Sequence, residues 1–122
     1  MYKLQSIAAC SGALAVALGA FGAHALKSQL LAAGLLETWH TAVLYHLIHS
    51  PMLFIVAMCR PSRARNLASA GFLLGIVLFS GSLYSMCLTG VKALGVITPI
   101  GGVLLIGAWI ALISARLPSD PD

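Results

Sequence analysis

Residues 66–91, NLASAGFLLGIVLFSGSLYSMCLTGV, run for 26 positions without a charged side chain. An α-helix rises about 1.5 Å per residue, so roughly 20 apolar residues cross a hydrocarbon core about 30 Å thick. The stretch is long enough to span a bilayer once and too short to span it twice. Gly71 and Gly75 inside it form a small-xxx-small pair, which lets helix backbones approach closely in lipid.

Three further neutral stretches of similar length flank it, at residues 4–26, 38–59 and 93–115. Charges punctuate them: Lys3, Lys27, Glu37, Arg60, Arg63, Arg65, Lys92, Arg116, Asp120 and Asp122. Backbone amides facing lipid without partners cost several kcal/mol each, which leaves helices as the spanning structure. The expected fold is therefore an all-α integral membrane protein with four transmembrane helices in a compact bundle. Residues 1–116 form one domain, with spans near 4–25, 38–59, 66–89 and 93–115, and residues 117–122 form a polar tail.

Composition agrees. Of the 122 residues, 60% are hydrophobic and 8% are charged, against about 25% charged in soluble domains. The net charge of +4 does not describe a nucleic-acid binder, because the basic residues sit beside span ends and not on one solvated surface. Placing the N-terminus in the cytoplasm puts Lys3, Arg60, Arg63, Arg65 and Arg116 inside, and only Lys27 and Lys92 outside. That asymmetry predicts both termini inside. Cys10, Cys59 and Cys87 lack metal-type spacing and read as small buried hydrophobes. Met1–Lys3 and the triplet Ala23-His24-Ala25 resemble a signal peptide, but the apolar run is too long for one. An uncleaved first helix is expected.

Along span one, Ser11, Ala15, Gly19 and Ala23 make a small-residue packing stripe. Residues 25–38 suit a short interfacial helix or packed loop ended by Gly34. Trp39 reads as part of the aromatic belt. His40, Tyr45, His46 and His49 precede Pro51, whose missing N–H predicts a kink. Residues 60–66 form a cytoplasmic turn with arginines near lipid phosphates. In span four, Thr98-Pro99-Ile100-Gly101-Gly102 predicts a bend or local unwinding, and Gly107, Ala111 and Ala115 make a second small stripe.

Comparing depths brings His24, Tyr45, His49, Ser80, Ser82, Tyr84 and Thr98 into one polar layer in the outer half of the bundle. Intramembrane polar groups face the interior and pair with one another, so His49 is expected to meet a hydroxyl of the 80–84 segment across the bundle. Each has a plainer reading. His24 suits a helix cap or interfacial position, His49 a structural interhelical bond, His40 and His46 a wet or half-wet setting, and Tyr84 an interfacial anchor. Serines and threonines commonly bond back to their own helix turn.

At Gly19-Ala20-Phe21-Gly22-Ala23-His24, Phe79-Ser80-Gly81-Ser82-Leu83-Tyr84 and Thr98-Pro99-Ile100-Gly101-Gly102 the chain resembles the YgdD-like proteins. These are small bacterial inner-membrane proteins grouped as a domain of unknown function, with eukaryotic relatives. The likeness covers about residues 4–115. The family pattern also includes Tyr45, His49 and Trp109, while His40 and His46 stand outside it. The resemblance implies four helices with short connections in the bacterial inner membrane, and supplies no activity.

Four functions compete. Short loops, small-residue stripes and the absence of a soluble domain favour an accessory, interacting or oligomeric membrane protein, with lipid and a homo-oligomer or larger complex as partners. A small-solute or ion transport component could use the outer polar layer and the bend at Pro99. Haem or metal binding through histidines is the third reading, although His46 and His49 share one helix and His24 lies at another depth. No cofactor and no metal is expected, with haem left open. An enzyme comes last, since the acids Glu37, Asp120 and Asp122 lie near or beyond membrane ends.

Overall fold

The computed structural model describes residues 2–119; Asp120 and Asp122 lie outside them. Five α-helices follow one another: α1 (Tyr2–Ala23), α2 (Lys27–Ala32), α3 (Leu36–Met58), α4 (Arg63–Thr89) and α5 (Thr98–Leu112), with a 3-10 helix at Lys92–Val96. Four segments are long and apolar enough to cross a membrane: α1, α3, α4, and the 3-10 helix taken together with α5. They coincide with the four neutral stretches of the sequence, and the described residues contain no strand.

The connections are tight. Gly34 ends the turn after α2 at φ 69°, and Gly90 caps α4 at φ 73°; both lie in the left-handed region that glycine enters without Cβ strain. Ser62 accepts a hydrogen bond from the Arg65 amide (3.0 Å), capping the start of α4. On the same side, the Arg60 amide bonds the Arg116 carbonyl (2.8 Å), and the Arg60 guanidinium bonds the Pro118 carbonyl (2.9 Å). These bonds tie the α3–α4 turn to the chain beyond α5.

In space the helices run α1, α3, α4, α5, each packed on the next. Where side chains are small, backbones close in. A Cβ on Gly71 would lie 2.8 Å from Ala108 Cβ and 3.0 Å from the Leu104 carbonyl oxygen; one on Gly75 would lie 2.5 Å from Leu105. Across the same seam, a Cβ on Gly101 would strike the backbone of Leu78 and Phe79. Gly102 is looser: a Cβ there would lie 3.7 Å from the Phe79 ring. On the α1–α3 seam Ala15 is fully buried, and a Cβ on Gly19 would lie 3.2 Å from the Val43 side chain. The expected stripe drifts by its end: Ala23 is exposed, and Gly22 takes its place against the Trp39 ring.

Two readings are corrected here. Pro99 does not bend a span. It occupies the first turn of α5, where a missing N–H costs no intrahelical bond, and the break falls earlier, between the 3-10 helix and Thr98. Trp39 is not an outward-facing belt residue. It is 1% exposed, inserted over Gly22, and its indole N–H bonds the Leu18 carbonyl at 2.9 Å. Pro51 lies inside α3 without ending it.

Two apolar clusters make the core. Ala8, Leu53, Val56, Phe72, Ile76 and Leu105 belong to the cluster nearer the arginine-bearing side; Leu30, Trp39, Val43, Leu83 and Tyr84 belong to the other. In α3 the buried His46, His49 and Ser50 fall between the two, and in α4 the buried Ser80 and Ser82 do. A polar layer is thus sandwiched between hydrophobic ones.

Adding a methyl at Gly101 forces α5 away from the α4 backbone, and overpacking of this kind costs about 1–3 kcal/mol. Gly101→Ala is expected to lower stability by that amount in reversible unfolding in mixed micelles. Gly107→Ala, where a Cβ meets nothing within 4 Å, should leave the monomer unchanged or slightly firmer. Equal losses at both sites would contradict the packing described.

Candidate functional site

The layer is built by α1, α3 and α4, with α5 reaching in. Tyr84 Oη lies 3.1 Å from His46 Nδ1, and His46 Nε2 lies 3.1 Å from Ser11 Oγ. Ser11 Oγ is 2.7 Å from Ser50 Oγ, and Ser50 donates to the His46 carbonyl at 2.9 Å. Four bonds thus draw on four hydrogens, one each from Tyr84, His46, Ser11 and Ser50.

Only one arrangement makes all four bonds. Ser50 gives its proton to the carbonyl, so it must accept from Ser11. Ser11, its proton committed, must accept from His46 Nε2–H. His46 Nδ1 is then a lone pair and accepts from Tyr84. Reversing the order leaves Ser50 without a proton, 2.9 Å from a carbonyl oxygen. A doubly protonated His46 would place a charge at membrane depth with no carboxylate in the polar layer, which is costly. The chain therefore runs Tyr84→His46→Ser11→Ser50→carbonyl.

His49 takes the opposite tautomer. Trp109 Nε1–H donates to His49 Nε2 at 3.1 Å, and His49 Nδ1–H donates to the Tyr45 carbonyl at 2.6 Å. Phe72 and Trp109 stand edge to face beside it, centroids 5.4 Å apart. Tyr45 itself is half-exposed, its ring stacked on Phe79 at 4.2 Å.

The sequence-derived residues are therefore placed as follows. Ser80 donates to the Ala42 carbonyl (2.7 Å), a bond from α4 to α3. Ser82 donates to the Phe79 carbonyl (2.9 Å), so Thr98 supplies the proton of the 2.7 Å Ser82–Thr98 bond, joining α4 to α5. The expectation that His49 meets a hydroxyl of the 80–84 segment gives way: His46 meets Tyr84, and His49 meets an indole. His46 is 4% exposed, not wet, and Tyr84 is 9% exposed, not an interfacial anchor; its ring packs edge-on against Trp39 at 4.9 Å. His24 stays exposed at the end of α1, apart from the layer. His40 is exposed as well, beside Glu37 at 3.7 Å.

Ser11 was missed because a serine in a small-residue stripe reads as a spacer, and Ser50, beside Pro51, was not singled out at all. The signal was present. Their depth matches that of His46, and a hydroxyl at that depth needs a partner.

A serine beside an imidazole invites comparison with nucleophilic catalysis, but the protons point the wrong way. A base must present a lone pair to the serine and have its other nitrogen's proton held by an acceptor. His46 presents Nε2–H to Ser11 and receives a proton from Tyr84. No group of three or more His, Cys, Asp or Glu positioned for a metal occurs among the described residues.

Fold and layer together define a small multi-pass membrane protein held by interhelical hydrogen bonds. The chain belongs to the family described as "Protein of unknown function (DUF423)", whose model matches residues 18–102. It is 45% identical to the UPF0382 membrane protein YwdK of Bacillus subtilis, over 91% of this chain and 93% of that one. It is 39% identical to a UPF0382 membrane protein of Haemophilus influenzae, over 90% of each, and 42% identical to SERP0230 of Staphylococcus epidermidis, over 91% and 92%. No solved structure matches significantly. The expected kinship with a small membrane family of unknown function holds.

Interhelical hydrogen bonds in membrane proteins contribute about 0.6 kcal/mol on average and about 1.7 at most. Tyr84→Phe and Ser11→Ala are each expected to cost an amount in that range in reversible unfolding. The double variant should cost less than the sum, since both act on the His46 ring. His40→Ala should cost nothing measurable. Strict additivity, or an equal loss at His40, would contradict the chain of bonds.

Proposed function

We propose that this protein is a non-catalytic component of the bacterial cytoplasmic membrane, both termini inside, that acts by associating with other membrane helices, first among them a second copy of itself. The observation that carries this reading is Gly107. The glycines at 19, 22, 71, 75 and 101 each sit where a Cβ would press on a neighbouring helix, whereas at Gly107 it would meet nothing within 4 Å. Glycine inside a helix costs roughly 0.5–1 kcal/mol relative to alanine, and inside one bundle it gains nothing here. Gly107 lines a shallow groove of about 560 Å³ on the outer face of α4 and α5, together with Ala70, Leu74, Val103, Ile110 and Ala111. Close approach of a further helix gives this glycine a use, and twofold pairing is the commonest way for a chain to bury its own surface.

Two features weigh against transport. The polar side chains a solute would need are engaged with one another, and the described spans hold no carboxylate within the polar layer. The same engagement occupies both nitrogens of His46 and of His49, which weighs against the haem reading.

Native mass spectrometry of the full chain in mild detergent tests the reading. A dimer or larger homo-oligomer is expected, shifted toward monomer by Gly107→Leu with helical content unchanged. A single stoichiometric foreign subunit would replace self-association by an accessory role. A monomer without companions at every concentration would overturn both.

A further inference from the structure

The polar layer is not sealed on every side. α1 and α4 stand apart across a cleft of about 370 Å³, within the roughly 300–1,000 Å³ range of small-ligand sites. Its walls are aliphatic, with Ile7, Leu14 and Leu18 on α1 facing Leu73 and Val77 on α4. Leu14 and Val77 are 54% and 56% exposed, and every lining residue lies in the body of its helix, so the mouth opens sideways onto hydrocarbon. Gly81 also lines the cleft, and a Cβ there would meet nothing within 4 Å. The space is real.

The polar part of the lining comes from Ser11, His46, Ser80 and Tyr84, and the order of protons fixes what those groups can offer. Ser11 donates to Ser50, Tyr84 to His46, and Ser80 to the Ala42 carbonyl. The His46 N–H is held by Ser11. Each hydroxyl oxygen keeps a lone pair and has no free proton. The Cys10 thiol, also in the lining, is only a weak donor. Toward a guest, the cleft is an acceptor surface without charge.

We infer that this cleft binds a neutral bilayer amphiphile whose polar group is a hydrogen-bond donor, a hydroxyl carried on hydrocarbon chains as in a diacylglycerol. Such a molecule lies in the membrane already and enters sideways. Its chains take the aliphatic walls, and its O–H meets a lone pair of Ser11 or Tyr84 without disturbing the existing bonds. An ester, ether or ketone oxygen meets only other lone pairs. A charged headgroup would have to enter at a depth where charge is costly and unpaired. The inference rests on the proton order and the cleft, and stands apart from association through Gly107 on the other side of α4.

The test uses a matched pair of probes, 1,2-dioleoylglycerol and its O-methyl ether, which differ by the loss of one donor. Each is offered in mixed micelles to the full chain, and retained lipid is counted by native mass spectrometry. Dioleoylglycerol is expected to be retained about five-fold more than the ether, the ratio that one net hydrogen bond of about 1 kcal/mol supplies. Gly81→Leu fills the cleft and should bring the two to parity, with helical content and thermal unfolding confirming the fold. Leu14→Trp, from the opposite wall, does the same if the first variant fails to fold. Equal retention by the unaltered chain, retention of neither probe, preference for the ether, or a preference that survives a folded filled-cleft variant each overturns the inference.

Discussion

Hydrocarbon offers no partner to a polar group, so each donor or acceptor carried into the bilayer must be matched from within the chain. That constraint organises this molecule. His46, on the central helix α3, draws α1 and α4 together through Ser11 and Tyr84, and three residues further on His49 takes the indole of α5. Ser80 and Ser82 complete the stitching from α4 to α3 and α5. Apolar packing could accept many rotations of four greasy helices. These directional bonds accept far fewer, which is the sense in which a weakly stabilising layer specifies the bundle.

Depth was legible in the sequence and direction was not. Four neutral stretches bounded by charges gave the spans, and Gly34 marked the turn after α2. Gly71 and Gly75 announced a close helix contact, which Gly101 made reciprocal across the α4–α5 seam. Facing failed because the spans are apolar all round. A soluble helix advertises its buried side by periodicity, but here lipid and core look alike, and no polar stripe tells which side is inside. His49 and His46 lie at nearly the same depth, so a hydroxyl partner was assigned to the wrong ring. Trp39 and Tyr84 were read by the statistics of the interface, whereas the slot opened by Gly22 admits the indole and the indole in turn supports the phenol. Pro99 misled for a different reason. Its effect depends on whether it falls inside a helix or at its first turn, and the 3-10 segment that decides this carries no strong sequence mark.

The glycines also sort the surface. Those explained by a neighbouring helix describe the bundle, and those left over point outward. Gly107 lines the outer groove between α4 and α5, and Gly81 lines the cleft between α1 and α4. The two lie on different sides of α4, so one chain has room both for a companion helix and for a guest. Both surfaces are built from membrane-spanning helices, and the family occurs in bacteria as distant as Bacillus and Haemophilus.

Everything said of the layer's chemistry follows from where its protons sit, and two imidazoles on one helix report that independently. Solid-state ¹⁵N NMR of histidine-labelled protein in lipid bilayers, near neutral pH, distinguishes the tautomers directly. Expected are a neutral His46 protonated at Nε2 and a neutral His49 protonated at Nδ1. The same tautomer at both positions, or a charged His46, would contradict the single order of bonds from Tyr84 to Ser50.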